Sequence, residues 1–565
     1  MCGIFLYCGT PTDPQALREC FLRSQHRGPD NTQFIVYYIN DTMLAFGFHR
    51  LSINGLSAKA HQPMFVDHTI TMCNGEIWNS DEIHRACDTL NESGSDCECL
   101  PLYYRDVLSN ISQTSRVTGI PDESFDTLCS VVDGVFGLVM FDRIRNTVYV
   151  ARDKIGIRSL YYATDSTTGS LYVASELKSI PPLLQNAVAF PPGHWASVDL
   201  NNAPSGSFDN HPKPYWTLRT TRRMAYLKPY CPQSELANDT DYQDCCAKLE
   251  MRLIEAVKKR FMSERPIGCV LSGGLDSTVI TAIACRLHNE RRPNAPPMRT
   301  YTIGMAGAED FEWARMAAEY LGTDHREFVL TEQDFLDAIP DVIAQIESYD
   351  VTTVRASTGN WLLAKKIAEQ EQDTVLFCGD VADELLGGYR GFGMTTDANA
   401  FDDENVKMLE NIHRFDVLRC EKSFAGHGLE ARVPFADCDV VELLMSVPPE
   451  FKMWDGTVRI EKDLLRRAFQ SYLPDALVWR RKEAFSDGVS QKEKSWFQII
   501  QDKLADEAVA QRSHASPYDA ESTYYRETYE TMYSSVKNIP YLWKQPFSDV
   551  ADPSARCLEN YEDEK

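Results

Sequence analysis

Ile267-Gly268-Cys269-Val270-Leu271-Ser272-Gly273-Gly274-Leu275-Asp276-Ser277 runs from an apolar strand, Ile267–Leu271, through a glycine-rich turn into a helix from about Asp276. Two adjacent glycines let a backbone approach a phosphate chain closely. The N–H groups and hydroxyls of the turn, with the helix N-terminus behind them, favour an anion. Asp276 is placed to hold Mg²⁺ against such phosphates. No Gly-Lys-Ser/Thr is present, so this is not a Walker A loop. A Gly-Gly turn before a helix also has a purely structural reading, so its surroundings must decide.

Outward from this turn, strands and helices alternate. A strand near Arg299–Ile303 precedes a helix at Phe311–Leu321, and a strand at Thr374–Cys378 ends in a polar loop. Such alternation predicts a doubly wound, mostly parallel sheet. Upstream, Leu249, Leu253, Ile254 and Val257 recur at helical spacing within Asp241–Met262. Beyond about residue 400 the pattern is mainly helical. The first 200 residues read differently. Short apolar runs at Gly3–Tyr7, Phe34–Ile39, Met43–Phe48, Ile70–Cys73, Phe136–Phe141 and Val148–Ala151 are separated by Gly, Pro, Asn and Asp. Helical patterns fall at Pro14–Gln25 and Asp81–Leu90, giving a layered α+β domain. The expected organisation is a first domain over 2–203, a proline-bearing linker over 204–238, a second domain over 239–535 and a loop-like tail over 536–565. The tail's end, Glu562-Asp563-Glu564-Lys565, reads as frayed.

The 565 residues suffice for roughly two to four domains. A formal charge of −25 argues against nucleic acid or an anionic membrane as the main partner. No run approaches the roughly 18 apolar residues of a spanning helix, and the start lacks the pattern of a secretory signal. Seventeen cysteines in such a chain suggest free thiols in a reducing, cytoplasmic setting. Cys97-Glu98-Cys99 and Cys245-Cys246 lack paired zinc-ligand spacing.

Cys2 adds chemistry to the first domain. Removal of Met1 leaves a thiol and an α-amine on one residue. An amine with a pKa of roughly 8 is a built-in base for its own nucleophile. Asn74-Gly75-Glu76 follows an apolar strand, where a side-chain amide and a backbone N–H suit a developing oxyanion. Arg50 suits a bidentate clamp on an α-carboxylate, and Asp96 suits an α-ammonium group. Together these groups describe a bound glutamine whose amide faces the thiol. Singly, each is ordinary: Asn-Gly marks turns, and lone charges mostly face solvent.

In order along the chain come His26-Arg27-Gly28-Pro29-Asp30, His49 to Ile53, Asn74-Gly75-Glu76, Gly94-Ser95-Asp96, Gly134-Val135-Phe136, Arg152-Asp153, Gly156-Ile157-Arg158, Leu160-Tyr161 and Ala174-Ser175-Glu176. This set resembles the class II, N-terminal-nucleophile glutamine amidotransferases. The resemblance implies a four-layer α/β/β/α fold, catalysis by Cys2, Asn74 and Gly75, and glutamine binding by Arg50, Leu51, Ser52, Ile53, Asn54, Asn74, Gly75, Glu76 and Asp96.

Ser272 to Ser277 resembles the pyrophosphate loop of ATP pyrophosphatases, which leave AMP on their substrate. The likeness implies an adenine nucleotide alpha hydrolase-like domain. Joined to the first half, and continued through Ile346-Glu347, Tyr349 to Thr353, Arg355-Ala356-Ser357, Asp383-Glu384, Gly387-Gly388-Tyr389, Asp416, Arg419, Lys422, Glu430 to Phe435, Glu461-Lys462, Trp479 to Gly488 and Asp552-Pro553-Ser554, the chain is similar to the glutamine-hydrolysing asparagine synthetase family. That resemblance places Leu271, Ile303, Cys378 and Gly379 against ATP. Ser272, Gly273, Gly274, Asp276 and Ser277 fall on pyrophosphate, and Asp276 and Asp383 on Mg²⁺. Thr352, Thr353 and Arg355 fall beside aspartate and phosphate, and Lys462 against charge growing on the phosphates. It implies glutamine, aspartate and ATP as substrates, a homodimer, and neither nucleic acid nor membrane as partner.

One loop departs from the family. Ser-Gly-Glu-Gly-Ser-Asp-Glu is usual; here it reads Cys378-Gly379-Asp380-Val381-Ala382-Asp383-Glu384. Asp380 keeps the catalytic acid but is one methylene shorter, and an ångström of displacement can cost about a hundredfold in rate. Val381 disfavours a positive φ, so a different loop path and a slow synthetase are expected. The runners-up are a related ligase acting on another carboxylate, ring-closing types included, and a catalytically weakened regulatory homologue.

Overall fold

The computed structural model describes residues 1–114, 121–202, 206, 208, 211–218, 238–491, 493–506, 516–533 and 540–558. Twelve strands form the first half. They are β1 (Gly3–Gly9), β2 (Asn31–Ile39), β3 (Thr42–Arg50), β4 (Met64–Val66), β5 (Thr69–Ile77), β6 (Gly134–Asp142), β7 (Thr147–Arg152), β8 (Tyr161–Thr164), β9 (Leu171–Ala174), β10 (Val188–Ala189), β11 (His194–Asp199) and β12 (Lys213–Pro214). They build two six-stranded sheets, ordered β10-β8-β9-β1-β3-β2 and β12-β11-β7-β6-β5-β4. The alternation within β1 explains the layering. Ile4, Leu6 and Cys8 point into the core between the sheets with Phe46, Met72 and Val150, while Phe5 and Tyr7 face outward against Leu17 and Phe21 of α1 (Pro14–Leu22). Helices α2 (Ser80–Ala86), α3 (Cys99–Thr114) and α4 (Pro121–Val131) belong to the opposite outer layer, where Ile83, Leu100 and Phe125 pack against Leu138 and Tyr149 of the second sheet. The expected α/β/β/α stack is therefore present.

The second half is built on β13 (Ile267–Val270), β14 (Arg299–Met305), β15 (Asp324–Leu330), β16 (Val375–Phe377) and β17 (Glu430–Arg432), in the order β15-β14-β13-β16-β17, every pairing parallel. Its helices include α5 (Thr240–Lys259), α6 (Leu275–Arg291), α7 (Glu309–Leu321), α8 (Glu332–Ile346), α9 (Val351–Gln370), α10 (Ala382–Leu386), α11 (Ala398–Asn411) and α12 (Asp416–Ala425). Strand order reverses between β13 and β16. In an open parallel sheet that reversal opens a crevice beyond the carboxyl ends of the two strands. The Ser272 and Asp380 loops leave from those ends.

The amino ends of the same strands meet the first domain. Leu51, Ile53 and Val375 form one small cluster with Cys2 and Ile267 against it. Buried ion pairs also lie where the two halves meet: Arg27 with Glu421, Arg158 with Glu430 at 3.1 Å, and Lys422 with Glu347. The Glu347 carboxylate also accepts the N–H groups of Leu177 and Lys178. Most of the expected linker lies outside the described residues. Its Lys213 and Pro214 form β12, so part of that span completes the second sheet. The described tail lacks helix and strand apart from a 3₁₀ turn, yet it is packed: Trp543 N donates to Asp350 at 2.9 Å. Its last four residues lie outside the described residues. Among the described residues no helix is long and apolar enough to cross a membrane.

Candidate active sites

Cys2 lies just before β1, where three groups fix it. Arg27 Nε donates to its carbonyl at 2.7 Å, its own N–H donates to Asn74 Oδ1 at 2.9 Å, and Leu51 N donates to Sγ at 3.4 Å. With its oxygen taken, the Asn74 amide keeps a buried Nδ2 that has no partner. That free donor, beside the thiol and on β5, is what an oxyanion requires. Met1 is present and buried, its amine donating to Leu429 O at 3.3 Å. Burial lowers that amine to about 6 and pushes the Cys2 thiol up to about 11. A chain that keeps Met1 therefore holds a neutral thiol at pH 7.

Asn54 joins the two acids of the expected glutamine pocket, donating to Glu76 at 2.7 Å and to Asp96 at 3.4 Å. Burial raises both carboxyls, and for Glu76 the charges of Glu430 and Asp96 add to it. Two buried acids raised in this way suit an incoming cation such as an α-ammonium group. Arg50 is differently disposed. Its guanidinium donates to the carbonyls of Asn54, Gly55 and Ser57, bracing that loop. Ser52 is anchored by its backbone, N–H to Asp30 and carbonyl to Arg265.

In the second half one cleft is lined by Ser272, Gly274, Asp276, Ser277, Gly379, Asp380, Asp383 and Lys462. Gly273 has φ +73°, and a Cβ there would stand 2.3 Å from the Trp313 backbone. Gly379 lets its loop pass the first turn of α6, since a Cβ would meet Ser277 N at 2.6 Å. Lys462 Nζ bridges Asp276 at 2.5 Å and Asp383 at 2.6 Å, and Lys482 holds the other Asp383 oxygen at 2.6 Å. Burial works to raise the Asp383 carboxyl, but the two ammonium groups override it and hold it well below the usual range. Asp276 Oδ1 is buried without a hydrogen-bond partner. Two carboxylates sharing one cation, one with a free oxygen, fit a divalent hard cation.

Leu271, Ile303 and Cys378 are buried and are not part of the lining. Thr352 and Arg355 line an adjoining pocket. Thr352 Oγ1 has no partner there. The Arg355 guanidinium is committed to Glu521 at 2.6 Å and Asp552 at 2.7 Å, and Thr353 donates its N–H and hydroxyl to Asp350, which caps α9. Val381 does adopt φ +80°, so the loop keeps the turn that its sequence resists. Asp380 is tied to Arg419 at 2.6 Å, and Arg419 in turn to Asp416. Arg27, Lys482 and Arg419 thus hold Cys2, Asp383 and Asp380 in place, although sequence reasoning assigned them no role. Charges inside otherwise buried motifs were the available sign.

A cysteine next to the N-terminus beside an unpartnered amide donor, backed onto a parallel sheet with a pyrophosphate-type loop, points to a two-domain amidotransferase–ligase. Family models agree: "Glutamine amidotransferase domain" matches residues 1–194 and "Asparagine synthase" matches 248–403 and 393–551. The probable glutamine-hydrolysing asparagine synthetase of Acanthamoeba polyphaga mimivirus is 33% identical over 576 residues, covering 99% of this chain and 100% of that one. The Gallus gallus asparagine synthetase is 33% identical over 591 residues, with 99% of each covered. Asparagine synthetase 1 of Arabidopsis thaliana is 34% identical over 597 residues, covering 99% and 93%. The chain belongs to the asparagine synthase family.

Proposed function

We propose that this protein makes asparagine from aspartate, using ATP and the amide nitrogen of glutamine. Once Met1 is removed, the Cys2 thiol gives its proton to its own amine and attacks the glutamine amide carbon. Asn74 Nδ2 and Gly75 N–H hold the oxyanion, Glu76 and Asp96 hold the α-ammonium, and Arg50 keeps the loop over the α-carboxylate. A γ-glutamyl thioester forms, ammonia leaves, and water releases glutamate. In the cleft, aspartate displaces pyrophosphate from ATP to give β-aspartyl-AMP, and ammonia then expels AMP. Ser272 to Ser277 cradle the phosphates and Lys462 balances their charge. Asp276 and Asp383 would hold Mg²⁺, which supplies Lewis-acid neutralisation of the phosphate oxygens when bound. Asp380 manages protons in adenylation and capture.

The observation that carries this reading is the shared sheet. The Cys2 pocket abuts the amino ends of β13 and β16, and the nucleotide loops leave their carboxyl ends. Five residue steps from Ile267 to Ser272 span about 17 Å, a length that a sheltered ammonia passage can bridge. A homodimer and a cytoplasmic setting complete the proposal. Product analysis with aspartate, ATP, Mg²⁺ and either glutamine or ammonium is the test. Asparagine, AMP and pyrophosphate in equal amounts are expected with both donors, and glutamate with glutamine alone. Pyrophosphate release independent of aspartate would overturn the acceptor.

A further inference from the structure

The loop that departs from its family also creates a cluster that shares only Asp380 with the proposed chemistry. Cys378 and Asp380 flank Gly379 just beyond β16, and Cys420 faces them from α12. One donor atom from each lies within 4.8 Å of the other two. Among the described residues no other trio of His, Cys, Asp and Glu donors comes so close. The Cys420 thiol is hydrogen-bonded to both Cys378 and Asp380. Two sulfurs on a tetrahedral zinc at about 2.3 Å stand roughly 3.8 Å apart, so small side-chain adjustments suffice. Both thiols are buried, while Asp380 lines the open cleft and gives an entering ion its path.

We propose that Cys378, Asp380 and Cys420 bind a thiophilic divalent cation of the zinc class, and that its binding takes Asp380 out of asparagine synthesis. Thiolates select such an ion over Mg²⁺, which prefers oxygen. Each thiol releases its proton to solvent as its sulfur–metal bond forms. Two thiolates and Asp380 carry three negative charges, against two on the metal. Arg419 already shares Asp416 as a second anion, so its charge is balanced when Asp380 turns to the metal. The fourth position faces the cleft and takes water.

The inhibitory part of the proposal rests on the synthetase reading; metal binding itself does not. With ammonium as donor, Cys2 chemistry is bypassed. Zinc is expected to stop synthesis by the full chain. In Cys420→Ser, and in Cys420→Ala as a second variant, half-inhibition should need at least the roughly tenfold more zinc that loss of even an outer-shell partner costs. Cobalt(II) added to the unaltered chain should show a thiolate-to-metal absorption that both variants and Cys378→Ser lose. Equal zinc sensitivity in all proteins, or a cobalt band that survives these substitutions, overturns the site. If the metal-free chain makes no asparagine, the synthetase reading has failed, and the cobalt spectrum alone still decides the site.

Discussion

At the scale of single residues, one amide has two roles in the proposed reaction. Asn74 Oδ1 accepts from the Cys2 nitrogen, which leaves the buried, unpartnered Nδ2 as the proposed oxyanion donor. Asn74→Ala removes both, and loss of one oxyanion donor costs about 10²–10³ in rate. Glutamine hydrolysis is therefore expected to fall at least that far, read as glutamate release, with ammonium-dependent synthesis as the control that bypasses this donor. Asp380→Asn tests the other site. Its carboxylate is held by Arg419, and its loss is expected to lower pyrophosphate release by roughly a hundredfold or more while glutamate release continues. Cys2, Asn74, Glu76 and Asp96 stand out in sequence because each lies in a short motif, and the structure brings Asn74 to Cys2 and Asn54 to Glu76 and Asp96. The commitment of Arg355 to Glu521 and Asp552 was not, because those partners lie 166 and 197 positions away.

At the scale of elements, Val381 shows how a strained turn trades against burial. A β-branched residue in the left-handed region costs about 1–3 kcal/mol, while full burial of its side chain is worth about 1.5–3 kcal/mol. Val381→Ala loses most of the burial and keeps the strain; Val381→Gly loses burial but lifts the strain. The glycine variant is therefore expected to melt higher than the alanine variant, the order opposite to that found in a helix interior. On β3, His49 is buried against Phe21, with ring centroids 3.8 Å apart, and burial lowers its pKa to about 4. Its neutral form supports the fold fully above about pH 6.5. That support is lost as pH falls towards 4, at up to about 1.4 kcal/mol per pH unit. His49→Gln is expected to flatten this part of the thermal-midpoint profile between pH 6.5 and 4. The strands around these residues were readable from short apolar runs bounded by turn residues, and α6 from its turn. Helix α9 was not, because Thr352, Thr353, Ser357, Thr358 and Gly359 weaken its helical pattern. Its start is set instead by Asp350 accepting Thr353 N at 2.9 Å. Edge strand β15 reads as polar because several of its residues remain partly exposed.

At the scale of the whole molecule, α12 reaches both candidate sites. Arg419 on it holds Asp380 at 2.6 Å. Two residues on, Glu421 pairs with Arg27, whose Nε holds the Cys2 carbonyl, and accepts from Ser159 at 3.1 Å. Lys422 pairs with Glu347, which also accepts backbone N–H groups from the first domain. A single ten-residue helix thus spans the join between nucleophile and ligase. No motif could reveal this, since it depends on how two domains dock. Glu421→Gln keeps the shape and removes one charge. Arg27 retains Glu176 at 3.0 Å, so Cys2 stays oriented and glutamine cleavage should persist. What weakens is the grip between domains, because a buried cation then has one anion in place of two. Ammonia should escape more often before reaching the adenylate. With glutamine as donor, the ratio of glutamate to asparagine is therefore expected to rise above that of the unaltered chain, while ammonium-dependent synthesis changes little. An unchanged ratio would mean that the passage is sealed by the apolar Leu51–Ile53–Val375 contact and not by the buried ion pairs where the two halves meet.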